Sequence, residues 1–558
     1  MVRKIIGFLY KETGTLNQAA LLLGLFAFLS QVLGFLRDRL LAHIFGASAE
    51  LDIYYAAFRI PDFLFVTVAS VVSLSVLVPF VIEREAKGLE ALRSFINNVF
   101  SFFSILIITV SGLAFFLLPA LSGFLFQGFS GPALAEAIFI SRMLLLSPII
   151  LGFSNLFGSL TQAYNRFTIY ALAPLFYNAG IIVGIILFAE RLGIIGVAIG
   201  VVAGASLHAL IQVPFVVRAG LFPRFSLKFD FALIAQVVRI SLPRTLTLSM
   251  SSIALICLVS LASLMTAGSI AILSFSINLQ SVPLSIIGVS YSLAAFPTLS
   301  RRFRENNLEA FKQQMATTAR FIIFWSLPVS ALLIVLRAQI VRVVLGSGLF
   351  DWDATRLTAA ALALFALSSV FQCLLLLFIR GFYSAGFTRK PFFLNLISTT
   401  VMVMGTWWLV KIFYWSAEFR YFISALLKVE DLSGTAVLML PLGFSIATII
   451  NGLLHWMTFE KFFRGFSRGV TRTLFEGLGS SVIMGATAYL GLNIFARLLD
   501  TTSLVGIFLQ GFWAGLFAMA VGVTILFALK SRELHEVWGV VRGKFWKANV
   551  VATDPEIV

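Results

Sequence analysis

Charge is scarce in this 558-residue chain: Asp, Glu, Lys and Arg make up 12% of it, about half the share usual in a soluble protein. Set against 59% hydrophobic residues and a mean hydropathy of +0.99, that scarcity excludes a soluble globular fold. A chain of this size cannot enclose so much apolar surface. The 41 glycines and 15 prolines are too few for a collagen-like or disordered chain. Only two cysteines occur, Cys257 and Cys373. Both sit in apolar runs without metal-ligand spacing, which excludes a disulfide framework and reads as two small core residues. The four histidines (His43, His208, His455 and His535) include no i, i+4 pair. There is no zincin motif, Walker loop, nucleophile elbow or dinucleotide fingerprint. The sequence therefore predicts no enzyme, no cofactor and no ATP hydrolysis by this chain.

Long apolar runs are what remain. A hydrocarbon core takes about 20 apolar residues per helix. Runs of that kind predict an all-α polytopic membrane protein with about fourteen spans, at 19–36, 60–82, 95–118, 138–160, 167–189, 193–217, 240–265, 270–298, 319–345, 355–379, 392–415, 434–458, 474–496 and 503–528. Stretches such as Ile105–Leu118 are apolar on both faces, which excludes the period-two alternation of a barrel. Met1–Gln18 has too short an apolar part, Ile5–Tyr10, for a signal peptide, and it reads as an interfacial cytoplasmic segment.

The net charge of +16 does not imply nucleic acid. Basic residues gather in alternate loops: Arg84/Lys87/Arg93, Arg218/Arg224/Lys228, Arg301/Arg302/Arg304/Lys312, Lys461/Arg464/Arg468/Arg472 and the tail from Lys530. The opposite loops Pro119–Ala135 and Thr266–Ser269 carry no Lys or Arg. The positive-inside rule then places both termini in the cytoplasm, with anionic membrane lipids as partners of the basic loops.

Sliding the chain against itself by about 218 residues aligns Val78-Pro79-Phe80 with Phe296-Pro297-Thr298. It also aligns Tyr164, Phe167-Thr168, Pro174 and Asn178 with Tyr383, Phe387-Thr388, Pro391 and Asn395. Six spans per repeat is an even number, so the halves run parallel, as two bundles around a central cavity that rock to give alternating access. The expected organisation is a segment 1–18, an N-lobe 19–217, a C-lobe 218–458, two further spans in 459–528 and a cytoplasmic tail 529–558. Gly196-x-x-x-Gly200-x-x-x-Gly204 predicts close helix packing, and Trp407, Trp408 and Trp415 an aromatic belt.

Charges inside hydrocarbon cost about 2.5–3.5 kcal/mol each on insertion scales and are functional candidates by default. Gln31, Arg37, Asp38, Arg39, Glu50, Asp52, Arg59 and Asp62 cluster around the first two spans, while Arg244 stands alone in the seventh and Arg380 closes the tenth. A guanidinium suits phosphate or pyrophosphate because its planar fork donates two parallel hydrogen bonds and stays charged. A neighbouring acid can hold it in place. The competing reading is a helix-end ion pair with snorkelling side chains.

Ser30-Gln31-Val32-Leu33-Gly34-Phe35-Leu36-Arg37-Asp38, then Ile44-Phe45-Gly46 and Asp52-Ile53-Tyr54-Tyr55-Ala56-Ala57-Phe58-Arg59-Ile60-Pro61, resembles the opening of the MurJ/MviN family. The resemblance continues through Tyr164-Asn165-Arg166-Phe167, Gly268-Ser269, Pro297-Thr298-Leu299-Ser300 and Arg380-Gly381-Phe382-Tyr383-Ser384. It implies a lipid II flippase of the bacterial inner membrane, which moves an undecaprenyl-pyrophosphate-linked peptidoglycan precursor from the inner to the outer leaflet. It also implies a cationic cavity for the headgroup and a groove at the two extra C-terminal helices for the lipid tail. Arg37, Asp38, Asp52, Arg59 and Pro61 carry over by position. The chain departs from the family where Gln31 replaces an Arg, Phe65 and Val66 an Arg pair, Ala69-Ser70-Val71-Val72 an acid-containing turn, Asn278 a cavity Arg and Phe387 an Asp; Arg244 is a gain.

The residues expected to bind substrate are thus Arg37, Asp38, Asp52, Arg59, Arg244, Gln31 and Asn278, with a lipid-linked pyrophosphate precursor as partner. The sequence does not distinguish proton from sodium as coupling ion. Two other readings compete: a related exporter of polysaccharide-repeat lipid or drug-like cargo, and a non-transporting scaffold of envelope assembly.

Overall fold

The computed structural model describes residues 16–68 and 74–546. Among these the regular structure is helical throughout. The expected interfacial segment Met1–Gln18, up to residue 15, and the Ala69–Val72 turn lie outside the described residues.

The helices follow the apolar runs, and polar caps set several of their starts. Ser48, Asp230, Asn307, Ser416 and Ser503 each accept a backbone N–H from the first turn of the helix that follows. This satisfies a donor that the helix itself leaves free. Eleven described helices are long and apolar enough to cross a membrane, or twelve if Trp352–Ala366 and Ser369–Ser384, bent by 45°, form one span. The first two expected spans are not among them. The run 19–36 lies in helix Leu16–Phe45, at the edge of the described residues, and the run 60–82 includes residues outside them, between Arg59–Thr67 and Leu74–Glu85. Three further helices, Ala49–Ala57, Ala417–Leu427 and Arg532–Trp546, have no counterpart among the apolar runs.

The chain divides into two compact units. One comprises Met1–Asn278, Val344–Ala361 and Thr388–Ala447. A core of Leu77, Phe95, Phe103, Leu160 and Val216 lies within it. The glycine spacing has a direct packing counterpart there. A Cβ on Gly184 would sit 2.3 Å from the Gly200 Cα, and one on Gly180 would sit 2.4 Å from the Gly204 Cα. Helices Phe167–Leu192 and Ile194–Leu210 therefore touch backbone to backbone. The reversal between them turns on Gly193, whose φ of +56° is strained for any residue with a Cβ.

The other unit comprises Leu279–Val343, Leu362–Phe387 and Thr448–Val558, packed around Phe311, Phe378, Phe382, Phe459 and Phe466. After Pro283 the helix widens into a π segment, Leu284–Val289. A proline lacks the N–H that a regular ladder needs, and a widened turn accommodates the defect. Gly288 in that segment lies against Cys373, which is buried in the core. Arg380 is absorbed here too, donating to the Val289 carbonyl at 3.2 Å and the Ser292 hydroxyl at 2.8 Å.

Many outward residues are large and apolar, including Phe116, Val482 and Phe475. Patches of this kind suit hydrocarbon rather than water. Trp407, Trp408 and Trp415 are exposed, and the Lys411 ammonium lies 3.7 Å from the centre of the Trp407 ring. Such a pairing fits a membrane interface.

Candidate functional site

Helix Leu16–Phe45 continues past its apolar part and carries Arg37 and Asp38 into the interior of the first unit. Asp38 is buried. Its Oδ1 accepts two hydrogen bonds from Arg37, from Nε at 3.0 Å and Nη2 at 2.8 Å. Its Oδ2 accepts from Asn278 Nδ2 at 2.9 Å. Arg37 Nη1 reaches the Asn178 Oδ1 at 3.3 Å, and Asn178 in turn donates to the Ser30 hydroxyl and the Pro174 carbonyl, each at 3.2 Å. A buried charge is tolerable when it is paired and its remaining hydrogen-bonding capacity is used. Both conditions hold for Asp38. The guanidinium keeps 23% of its side-chain surface open, which leaves room for a ligand.

That open surface borders a cavity of about 270 Å³, also lined by Tyr54, Arg59, Asp62, Tyr177 and Asn278. Arg59 donates from Nε to the Tyr55 carbonyl at 3.0 Å. The charged side chains of the wall are two arginines and one aspartate, Arg37, Arg59 and Asp62, so the wall itself carries a net positive charge, with the Asp38 carboxylate paired behind Arg37. The volume lies just under the range of about 300–1,000 Å³ typical of small-molecule pockets. A large headgroup would need the cavity to widen, whereas a single phosphate-sized group would not.

Asp52 lies elsewhere. It is buried at 4% exposure in the short helix Ala49–Ala57 and does not line the cavity. Its carboxylate accepts the backbone N–H of Gly268 and that of Ala271, each at 2.7 Å. It thus caps the start of helix Ser269–Pro283, more than 200 residues away. A carboxylate on the first N–H groups of a helix is favoured by charge and by geometry. Gly268, at φ +88°, lies so close to Ala47 that a Cβ would meet the Ala47 carbonyl oxygen at 2.2 Å. This is a closed seam within the first unit, and Asp52 holds it.

The expected site residues therefore separate. Arg37, Asp38, Arg59 and Asn278 come together, Asp52 acts at a distance from them, and Gln31 is half-buried outside the cavity lining. The Arg244 side chain lies outside the described residues. Arg39 donates to the Val344 carbonyl at 3.3 Å, a contact with backbone rather than with the cavity. Three wall or support residues escaped the sequence reading as site members: Asn178, Tyr177 and Tyr54. An amide inside an apolar run is costly unless it is used, and that signal marks Asn178. The tyrosines carry no comparable signal.

A family model described as lipid II flippase MurJ matches residues 41–510. Among curated proteins, a "Probable lipid II flippase MurJ" of Buchnera aphidicola subsp. Schizaphis graminum is 27% identical over 447 residues, covering 78% of this chain and 82% of the relative. The "Probable lipid II flippase MurJ" of Thermotoga maritima is 28% identical over 383 residues, covering 67% and 76%. Among solved structures, a lipid II flippase MurJ in an inward closed conformation superposes with a TM-score of 0.71 at 20% identity, covering 91% of this chain and 99% of that one. An inward-facing multidrug resistance MATE family transporter of the MOP superfamily superposes at 0.62 with 17% identity, covering 78% and 96%. These likenesses establish the fold, and the family model, which spans most of the chain, establishes the kinship. The chain belongs to the MurJ family of lipid II flippases.

Proposed function

We propose that this protein is a lipid II flippase of the bacterial inner membrane, which carries the pyrophosphate-linked headgroup from the inner to the outer leaflet by alternating access. The family match over residues 41–510 carries the reading. The polar cavity within an apolar helical protein supports it. Arg37 and Arg59 contact the pyrophosphate, Asp38 and Asn278 hold Arg37 in position, and Asp52 acts as a positioning residue that latches one state of the cycle. Arg244 supplies a further cation and Gln31 borders the path. The membrane domain comprises fourteen spans, six in each of two parallel lobes and two at the C-terminal end, with both termini in the cytoplasm.

The chemistry is binding and release. A guanidinium that already spends two N–H groups on Asp38 can turn part of its fork toward a phosphate without crossing a desolvated intermediate, because the acid stays hydrogen-bonded to Asn278. The wall's modest positive charge, with Arg37 already paired to Asp38, favours one alternative, a related exporter with less anionic cargo. Complementation of a strain depleted of its lipid II flippase separates the two. Growth restored by the wild-type chain, and lost with Arg37→Ala at equal expression, supports the flippase; failure of the wild-type chain to restore growth supports the exporter.

A further inference from the structure

Within the second unit, the starts of helices Leu308–Val335, Thr471–Ala496 and Arg532–Trp546 meet the turn 465–469 around a cavity of about 630 Å³. Lys312, Arg320, Arg468, Arg472 and Arg532 line it, against Glu309, Glu476 and Glu533. Cations therefore outnumber acids, and the acids are already engaged. Glu309 pairs with Lys312, and Glu476 accepts from Arg472 Nε at 2.6 Å. Glu533 is buried, its Oε1 accepting the Thr473 hydroxyl at 2.8 Å and its Oε2 the Ser531 hydroxyl at 3.1 Å.

Arg320 is less well served. Its Nη2 donates to the Thr317 hydroxyl at 3.3 Å, but its Nε faces Glu533 at 3.6 Å, beyond hydrogen-bond reach, and that buried Nε has no hydrogen-bond partner. A buried N–H of a charged group left unpaired is costly. Helix Thr471–Ala496 begins after Val470, which supplies no side-chain cap, so no side chain at that position claims its first N–H groups. An excess of guanidinium, an unsatisfied buried donor and an uncapped helix start all call for the same ligand, an anion with several acceptor oxygens.

We propose that this cavity is a phosphate-binding site, distinct from the Arg37 cavity, whose ligand is a phosphate group carried by an anionic membrane lipid or supplied as free phosphate. The bound phosphate ties Arg320 of one helix to the start of the next-to-last membrane helix and to the C-terminal helix. It completes the hydrogen bonding that the protein leaves open. The two cavities share no lining residue.

The test uses the full chain in phosphate-free maltoside detergent, with thermal unfolding and native mass as readouts. Phosphatidylglycerol is compared with diacylglycerol, and inorganic phosphate with chloride at equal ionic strength. Arg468→Gln/Arg472→Gln is the variant, since both side chains are exposed, and its unfolding midpoint without phosphate is compared with that of the wild type. Saturable stabilisation by phosphatidylglycerol alone identifies a lipid ligand, and stabilisation by inorganic phosphate a soluble one. In either case the double variant should bind about twenty-fivefold more weakly, about fivefold for each charge removed. Absence of stabilisation by both, or equal affinity in the variant, overturns the site.

Discussion

Replacing Asp38 by Asn tests the central contact of the Arg37 cavity most sharply. The substitution keeps the shape and removes the charge. Asp38 accepts three hydrogen bonds, two from Arg37 and one from Asn278. An Asn can offer its oxygen to Arg37, but its amide then faces the Asn278 amide, donor against donor. Removing one partner from a fully buried pair costs about 3–5 kcal/mol. Arg37 is partly open and water screens it, so the lower figure for a hydrogen bond to a charged group, about 1.5–3 kcal/mol, applies. That corresponds to a loss of roughly ten- to a hundredfold in the population of the correctly placed guanidinium. The assay is lipid II transport in reconstituted vesicles at matched folded yield. Asn278→Asp added to Asp38→Asn returns an acid to the same cluster and should recover part of the rate. Wild-type transport and unfolding midpoint in Asp38→Asn would refute the proposed positioning of Arg37.

Arg37→Ala should impair transport more than Arg39→Ala, because Arg37 borders the cavity while Arg39 reaches the Val344 carbonyl; vesicle transport rates of the two variants at equal yield check this. Asp52→Ala leaves the N–H groups of Gly268 and Ala271 without their acceptor and should destabilise that seam by about 1–3 kcal/mol per donor, read as faster labelling of a cysteine placed at Ala47. Gly184→Ala forces a Cβ to within 2.3 Å of the Gly200 backbone and should lower the unfolding midpoint through overpacking of about 1–3 kcal/mol, whereas Gly112→Ala, with open space around it, should not. Impermeant thiol reagents on intact cells should reach a cysteine at Ser130 and not one at Asn306, and the reverse result would invert the proposed topology.

The membrane class and most helix positions were legible because long apolar runs admit few alternatives. The breaks were less so. Leu336 and the pair Leu367–Ser368 interrupt helices with neither Pro nor Gly, so packing rather than local propensity bends the chain there. Helices Ala417–Leu427 and Arg532–Trp546 are too short or too polar to stand out as spans. Arg37 and Asp38 were legible because a charge in an apolar run demands a partner. Asn278 entered only through the family resemblance. The role of Asp52 was not legible, since its partners are backbone N–H groups more than 200 residues away and nothing in the local sequence specifies them. Its burial also removes it from the cavity in which the sequence reading had grouped it.

Leaflet exchange of lipid II by the purified chain in liposomes tests the account most directly. Lipid II placed in one leaflet is followed by its accessibility to an impermeant reagent added on the other side. The account predicts protein-dependent appearance of lipid II in the opposite leaflet, abolished by Arg37→Ala and retained with Arg39→Ala. No exchange above protein-free liposomes, from a preparation with a native unfolding transition, would contradict it.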